Sequence, residues 1–235
     1  MTTPADARYA IYFVPAAQTN LYRFGCSILG YDSYGGADVD LLDGFGQEFA
    51  NWPEITDQPR RYGFHATLKA PFRLSPSSSE AALTDALDRF AKLGHPVAHI
   101  EPVITVLGDF IAIVPRRPTP ALDVLANHCT TNFEAFRAPM TVKERARRTE
   151  SCLSPSQLQN LDRWGYPFVF EDFRFHMTLT GPLPEAARVH AIAVLRRAFE
   201  RVCGNGEIAV DRIALVKQSD DQVRFRVLCH AELSS

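Results

Sequence analysis

The sequence predicts an α+β fold built as an internal duplication, and three observations carry that prediction. "RYGFHATLKAPF", from Arg61, and "FRFHMTLTGPL", from Phe173, both contain Phe-His-x-Thr-Leu-x-x-Pro. Each opens the same succession of strand, helix, strand, strand, over approximately residues 60–116 and 168–232. No low-complexity linker separates the halves, so residues 1–235 read as one domain of two closely packed repeats.

Taken in order, "YAIYFVPA" is β-branched and aromatic up to its proline, which predicts a strand. "LYRFGCSILG" carries apolar residues at helical spacing, and "YDSYGGADVD" is a turn-rich loop. The first motif strand is expected over 61–72. After it, serines offer an N-cap, Glu80 supports a first turn, and Leu83, Leu87 and Phe90 share one helix face. "VAHIEPVITVLGDFIAIVP" predicts two strands joined at Gly108-Asp109. Helices are expected over about Pro120 to Phe136, and from a Ser154 cap with Pro155 at the first position to Trp164. Beyond the second motif come an amphipathic helix ending near Gly204 and two strands turning at Ser219-Asp220-Asp221. Pro71 and Pro182 end the motif strands.

The composition bounds the function. Of 235 residues, 46% are hydrophobic and 22% charged, enough for a core without metal or disulfide staples. A net charge of −2 supplies no global field for nucleic acid or an anionic membrane, so any grip on an anion is local. The five cysteines are odd in number, scattered and without a Cys-x-x-Cys pair, which reads as reduced thiols in a cytoplasmic protein. "MTTPADARYA" lacks the features of a secretory leader, and no apolar run approaches the roughly 18 residues of a membrane span.

Strand alternation sends residues two apart to one face. His65 and Thr67 therefore project together, as do His176 and Thr178, while Phe64, Ala66 and Leu68, and Phe175, Met177 and Leu179, take the buried face. The same alternation adds Arg61, Gly63 and Lys69 to the first site face, and Arg174 and Thr180 to the second. Two imidazoles suit a phosphoester reaction with two proton movements, one ring accepting from water and the other giving to the leaving oxygen. Hydroxyls can hold the non-bridging oxygens, and an arginine fork would add to that hold. Such chemistry needs no metal or other cofactor, and the chain offers no acidic run or His cluster to hold a metal. His95, His99, His128, His190 and His230 lack matching partners and read as surface or structural residues. Tyr62 and Tyr166 read as packing or cleft-lining aromatics. The basic stretch Lys143 to Arg148 reads as a solvated face, or as a holder of a second substrate phosphate.

One copy of His-x-Thr-Leu is a weak signal; two copies with matching flanks are specific. "HATL" at His65 and "HMTL" at His176 resemble the paired motifs of the two-histidine (2H) phosphoesterase superfamily. "RYAIYFVPA", "LYRFGCSILGYD" and "WGYPFVFEDFRFHMTLTGPL" are similar to a branch of uncharacterised phosphonate-metabolism proteins within it. The resemblance implies a bilobal, pseudo-symmetric fold, with two mainly antiparallel sheets facing a central cleft and helices outside. It also implies metal-independent opening of a small cyclic phosphodiester, with His65 and His176 as the acid–base pair. Thr67 and Thr178, together with Arg174, Lys69, Arg61 and Tyr62, are the candidate substrate-binding residues. The substrate class it implies is a small phosphorylated sugar or nucleotide, a ribosyl 1,2-cyclic phosphate in first place. Two alternatives stay open: an RNA 2′,3′-cyclic phosphate phosphodiesterase, against which the missing basic stripe weighs, and a non-catalytic phosphate or nucleotide sensor.

Overall fold

A computed structural model describes residues 7–150 and 152–234. Residues 1–6, which begin the segment read for a leader, lie outside the described residues, as do Ser151 and Ser235. The chain opens with β1 (Arg8–Phe13), α1 (Asn20–Leu29), a small hairpin of β2 (Tyr31–Asp32) and β3 (Ala37–Asp38), and three one-turn helices, α2 (Phe45–Glu48), α3 (Trp52–Ile55) and α4 (Asp57–Arg60). The first repeat follows as β4 (Ala66–Arg73), α5 (Glu80–Ala91), β5 (Ala98–Ile100), β6 (Pro102–Leu107) and β7 (Phe110–Pro115). Helices α6 (Pro120–Asn132), α7 (Val142–Arg148) and α8 (Pro155–Trp164) bridge to the second, which comprises β8 (Met177–Thr178), α9 (Glu185–Cys203), β9 (Ile208–Val210), β10 (Arg212–Gln218) and β11 (Arg226–Glu232).

Local chemistry explains these boundaries. The Thr19 hydroxyl accepts from the Tyr22 amide to start α1, and Gly30, at φ 72°, supplies the left-handed residue that stops it. Ser79 caps α5, and Ser154 closes a capping box with Gln157 on α8. The basic stretch is itself a helix, α7, opened by a capping box between Thr141 and Glu144.

All pairings in the main sheet are antiparallel, in the order β11-β10-β1-β4-β8-β7-β6. The expected separation into two sheets is therefore replaced by one seven-stranded sheet, because β4 and β8 pair directly, Ala66 opposite Met177. The order also departs from two equivalent copies. β7 lies directly on β8, whereas β1 stands between β4 and β10. Each repeat has one more strand than read from sequence, and the extra strands β5 and β9 pair with each other. A row of core residues, Phe13, Ala66, Met177 and Ile113, runs across the four central strands, and each is at most 1% exposed. That row belongs to one buried hydrophobic cluster spanning both halves. Among the described residues, no helix is long and apolar enough to cross a membrane.

Candidate active site

The β4–β8 pairing decides where the two motifs meet. Ala66 stands opposite Met177, so the histidine and threonine of each motif flank the one residue pair that joins the two strands. On the outer sides, Thr67 pairs with Tyr12 of β1 and Thr178 with Ala112 of β7. His65, Thr67, His176, Thr178 and Tyr62 all line one cleft of about 750 Å³.

Both imidazoles are held the same way. His65 Nδ1 lies 2.8 Å from the Gly63 carbonyl, and His176 Nδ1 lies 2.8 Å from the Arg174 carbonyl. A carbonyl only accepts, so each Nδ1 carries the proton and each neutral ring keeps its lone pair on Nε2. His65 Nε2 is 3.1 Å from Thr67 Oγ1, whose hydroxyl donates to the neutral ring. The Tyr12 ring stacks on His65, with centroids 3.7 Å apart and planes inclined by 19°. Gly63 makes the carbonyl contact feasible: its φ is +73°, and a Cβ there would sit 2.8 Å from Ser33 Cβ.

Desolvation drives the electrostatics. It pulls His65 down to about 4, with the neighbouring His176 adding to the fall and the Gly63 carbonyl opposing it. Desolvation also lowers His176, against the Arg174 carbonyl. Both shifts favour the neutral rings.

Three expected site residues are placed elsewhere. Lys69 points to the opposite face of the sheet. The β1–β4 register slips by one residue between Tyr12↔Thr67 and Ile11↔Lys69, so Leu68 is an extra, bulged residue that reverses the alternation. Lys69 is 4% exposed, and its Nζ donates to the Thr130 carbonyl of α6 at 2.9 Å and to Glu134 at 2.8 Å. Arg61 lies in a turn before β4 begins at Ala66. Its side chain is exposed and its carbonyl accepts from the Phe225 amide. Arg174 is exposed too, its guanidinium turned back on the carbonyls of Glu171 and Phe173. It serves the site through its own carbonyl. The second motif forms only a two-residue strand, so alternation does not extend back to Arg174.

Other residues enter the cleft with less warning. Arg8 and Tyr12 share a face of β1, but each face of that strand carries a tyrosine, which hides the direction in the sequence. Arg147 and Arg148 come from the end of α7, and Tyr166 from the loop after α8. Thr180 is buried and holds the Ile111 amide at 3.0 Å, so it ties β7 to the second motif. Among the described residues, no group of three or more His, Cys, Asp or Glu side chains could hold a metal ion.

The chain is 37% identical over 201 residues to "Ribose 1,5-bisphosphate phosphokinase PhnN" of Janthinobacterium sp. (strain Marseille), covering 86% of this chain and 44% of that protein. It is 32% identical over 226 residues to the protein of the same name from Laribacter hongkongensis (strain HLHK9), covering 94% and 50%. The chain thus spans about half the length of the curated relatives it matches. Among solved structures, E. coli LigT complexed with NADP+ aligns over the whole of both chains at 15% identity and a TM-score of 0.47. A phosphoesterase aligns over 97% of this chain and 99% of its own at 14% identity and a TM-score of 0.44. Scores below 0.5 at such identities assign neither fold nor function to this chain. The model of the family described as "Protein of unknown function (DUF1045)" matches residues 67–226, more than half of the sequence, and the chain belongs to that family.

Proposed function

We propose that this protein is a phosphoesterase of the two-histidine type that hydrolyses a small cyclic phosphodiester. The observation that supports the reading is the direct pairing of β4 and β8 at Ala66–Met177, with both His–Thr couples lining one cleft. In this reading a neutral Nε2 accepts a proton from water as its oxygen bonds to phosphorus. The ring P–O bond breaks, the second imidazole gives its proton to the leaving oxygen, and a phosphomonoester results. His65, the ring drawn down to about 4, fits the base, and His176 fits the acid once the anion is bound. Thr67 and Thr178 donate to the non-bridging oxygens, and Tyr12 fixes the plane of His65.

For the substrate we infer a phosphorylated ribose derivative, a ribosyl 1,2-cyclic phosphate in first place, within phosphonate breakdown. The curated relatives' name supports this, since it puts phosphorylated ribose chemistry in the same polypeptide as a segment like this one. The chain has no Gly-Lys-Ser/Thr phosphate-loop signature, so the kinase part of that name has no such counterpart here.

The test is a phosphorus NMR screen of cyclic phosphates with purified protein, run with and without a chelator. Ring opening of a pentose 1,2-cyclic phosphate that persists under chelation and disappears in His65→Ala and His176→Ala is the expected result. Faster turnover of nucleoside 2′,3′-cyclic phosphates would redirect the substrate to RNA ends. Tight binding with no product over hours would make the protein a sensor.

A further inference from the structure

From the cluster of cationic and phenolic groups beside the histidines, we infer that the cleft holds a second anion site, which takes a phosphate monoester carried by the same small molecule as the phosphodiester. This rests on the proposed function only for what occupies the histidine end.

Arg148 is the centre of the second site. Its guanidinium has five N–H donors, yet it makes one long bond, from Nη2 to the Pro71 carbonyl at 3.3 Å. Its Nε is buried without a hydrogen-bond partner. Its Cζ lies 5.6 Å from the centre of the Tyr166 ring. Desolvation lowers the Arg148 pKa, so the cation is held in the cleft wall at a cost. Arg8 and Arg147 line the same cleft, and among the described residues none of the three arginines forms an ion pair with a carboxylate. Other arginines nearby do have carboxylate partners: Arg73 with Glu144, Arg137 with Glu134, and Arg145, on α7 itself, with Asp162. Glu144 acts on Arg148 only at longer range, and a shielded guanidinium with an unpartnered Nε and no carboxylate at ion-pair distance suits a site whose anion arrives with the ligand.

The surroundings fit a phosphate. Burial pushes the Tyr12 phenol well up, Tyr62 and Tyr166 add to the rise, and Arg8 and Arg148 oppose it, so one hydroxyl feels all four groups. Arg8 is pre-aimed: its Nε donates to Gln218 Oε1 at 2.8 Å, its Nη2 to the same oxygen, and Gln218 is in turn anchored on the Val223 carbonyl. Nη1 of Arg8 is left for a ligand. Guanidinium forks and phenolic hydroxyls together match the three terminal oxygens and double charge of a phosphomonoester.

The position also fits. Arg8 pairs with Arg73 and Tyr12 with Thr67, so Arg8 lies four residues along β1 from the histidine end. Pro71, which Arg148 holds, lies four residues along β4 from Thr67 in the same direction. Four strand residues span about 13 Å, and long arginine side chains reaching back close part of that gap. The remaining distance suits a sugar that carries ester groups at both ends.

The experiment compares kcat/KM for a pentose 1,2-cyclic phosphate with and without a 5-phosphate, in the wild type and in Arg148→Met. Wild-type preference for the phosphorylated ester on the order of 10²-fold, falling at least tenfold in Arg148→Met, is the expected result. No preference in the wild type, or an equal loss on both esters, overturns the inference, the latter by assigning Arg148 to the reacting phosphoryl group. Tyr166→Phe, which keeps the ring, repeats the comparison with little risk to folding and is expected to lower the same preference. Calorimetric titration with ribose 5-phosphate separates this inference from the proposed reaction. Binding that weakens at least tenfold in Arg148→Met supports the second site even if no cyclic ester turns over, and binding unchanged by the substitution refutes it.

Discussion

Ala66 and Met177 face each other across the antiparallel strands β4 and β8, and both are fully buried. This one apolar pair sets the geometry of the cleft on the opposite face. It is flanked on both strands by a histidine and a threonine, and both couples line the same cleft. Register is therefore the quantity on which the proposed chemistry depends, and the core row from Phe13 to Ile113 enforces it.

Removing either imidazole is expected to cost about 10²-fold or more in kcat, the usual worth of general acid–base catalysis. The two losses should differ in kind. An aryl ester whose leaving group needs no proton is expected to restore turnover in His176→Ala but not in His65→Ala. Rescue of the opposite variant would exchange the acid and base roles.

In the proposed mechanism one histidine is charged when substrate is bound, so binding near pH 7 is expected to take up protons, because desolvation lowers both rings. Calorimetry in buffers of different ionisation enthalpy reads this directly. The folded protein binds fewer protons than the unfolded chain between about 4 and the ordinary histidine value of 6.5. Stability from His65 is thus present above that window and lost as pH falls through it. His65→Gln should flatten the dependence of unfolding free energy on pH there.

Lys69→Ala is expected to destabilise the fold by about 1–3 kcal/mol, the cost of leaving the Thr130 carbonyl without its donor, while Glu134 keeps Arg137 at 2.6 Å. Glu134 would lose its tie to β4 and the Thr130 carbonyl its donor. Denaturant melts measure the loss. Turnover per folded molecule should stay near wild type, because Lys69 lies across the sheet from the cleft.

Gly25 stands in the middle of α1, where alanine would ordinarily gain about 1 kcal/mol. Here a Cβ would fall 2.0 Å from Cγ of Phe64, a side chain that is 0% exposed. Gly25→Ala is therefore expected to destabilise by about 1–3 kcal/mol and to lower turnover, since Phe64 adjoins His65 in the chain. A stabilised variant with full activity would show that the ring has room to move.

Helix α7 is anchored through Glu144, which accepts from Arg73 at 3.1 Å and from the Thr141 amide at 2.7 Å. Desolvation would raise this carboxyl, but the Arg73 and Thr141 hydrogen bonds outweigh it and bring it down to about 2. The stability it contributes is present above 4.5 and lost as pH falls toward about 2. Glu144→Gln should lower Tm at neutral pH, with the gap closing in acid. It should also loosen Arg148 at the cleft wall.

The sequence by itself determined the α+β class, the repeated element order, the capped helices and the four motif residues. Each of these rests on local signals: an alternation of two, a helical period, a serine before a proline, a doubled motif. Only the tertiary structure decided that β4 and β8 share one sheet, that both His–Thr couples line one cleft, and that Arg8, Tyr12 and Arg148 complete the wall. Strand pairing and helix docking are contacts between residues remote along the chain, and no local pattern encodes them. Lys69 shows the limit most plainly. Alternation aimed it at the cleft, and a single bulged residue, set by how β4 meets β1, turned it to the other side.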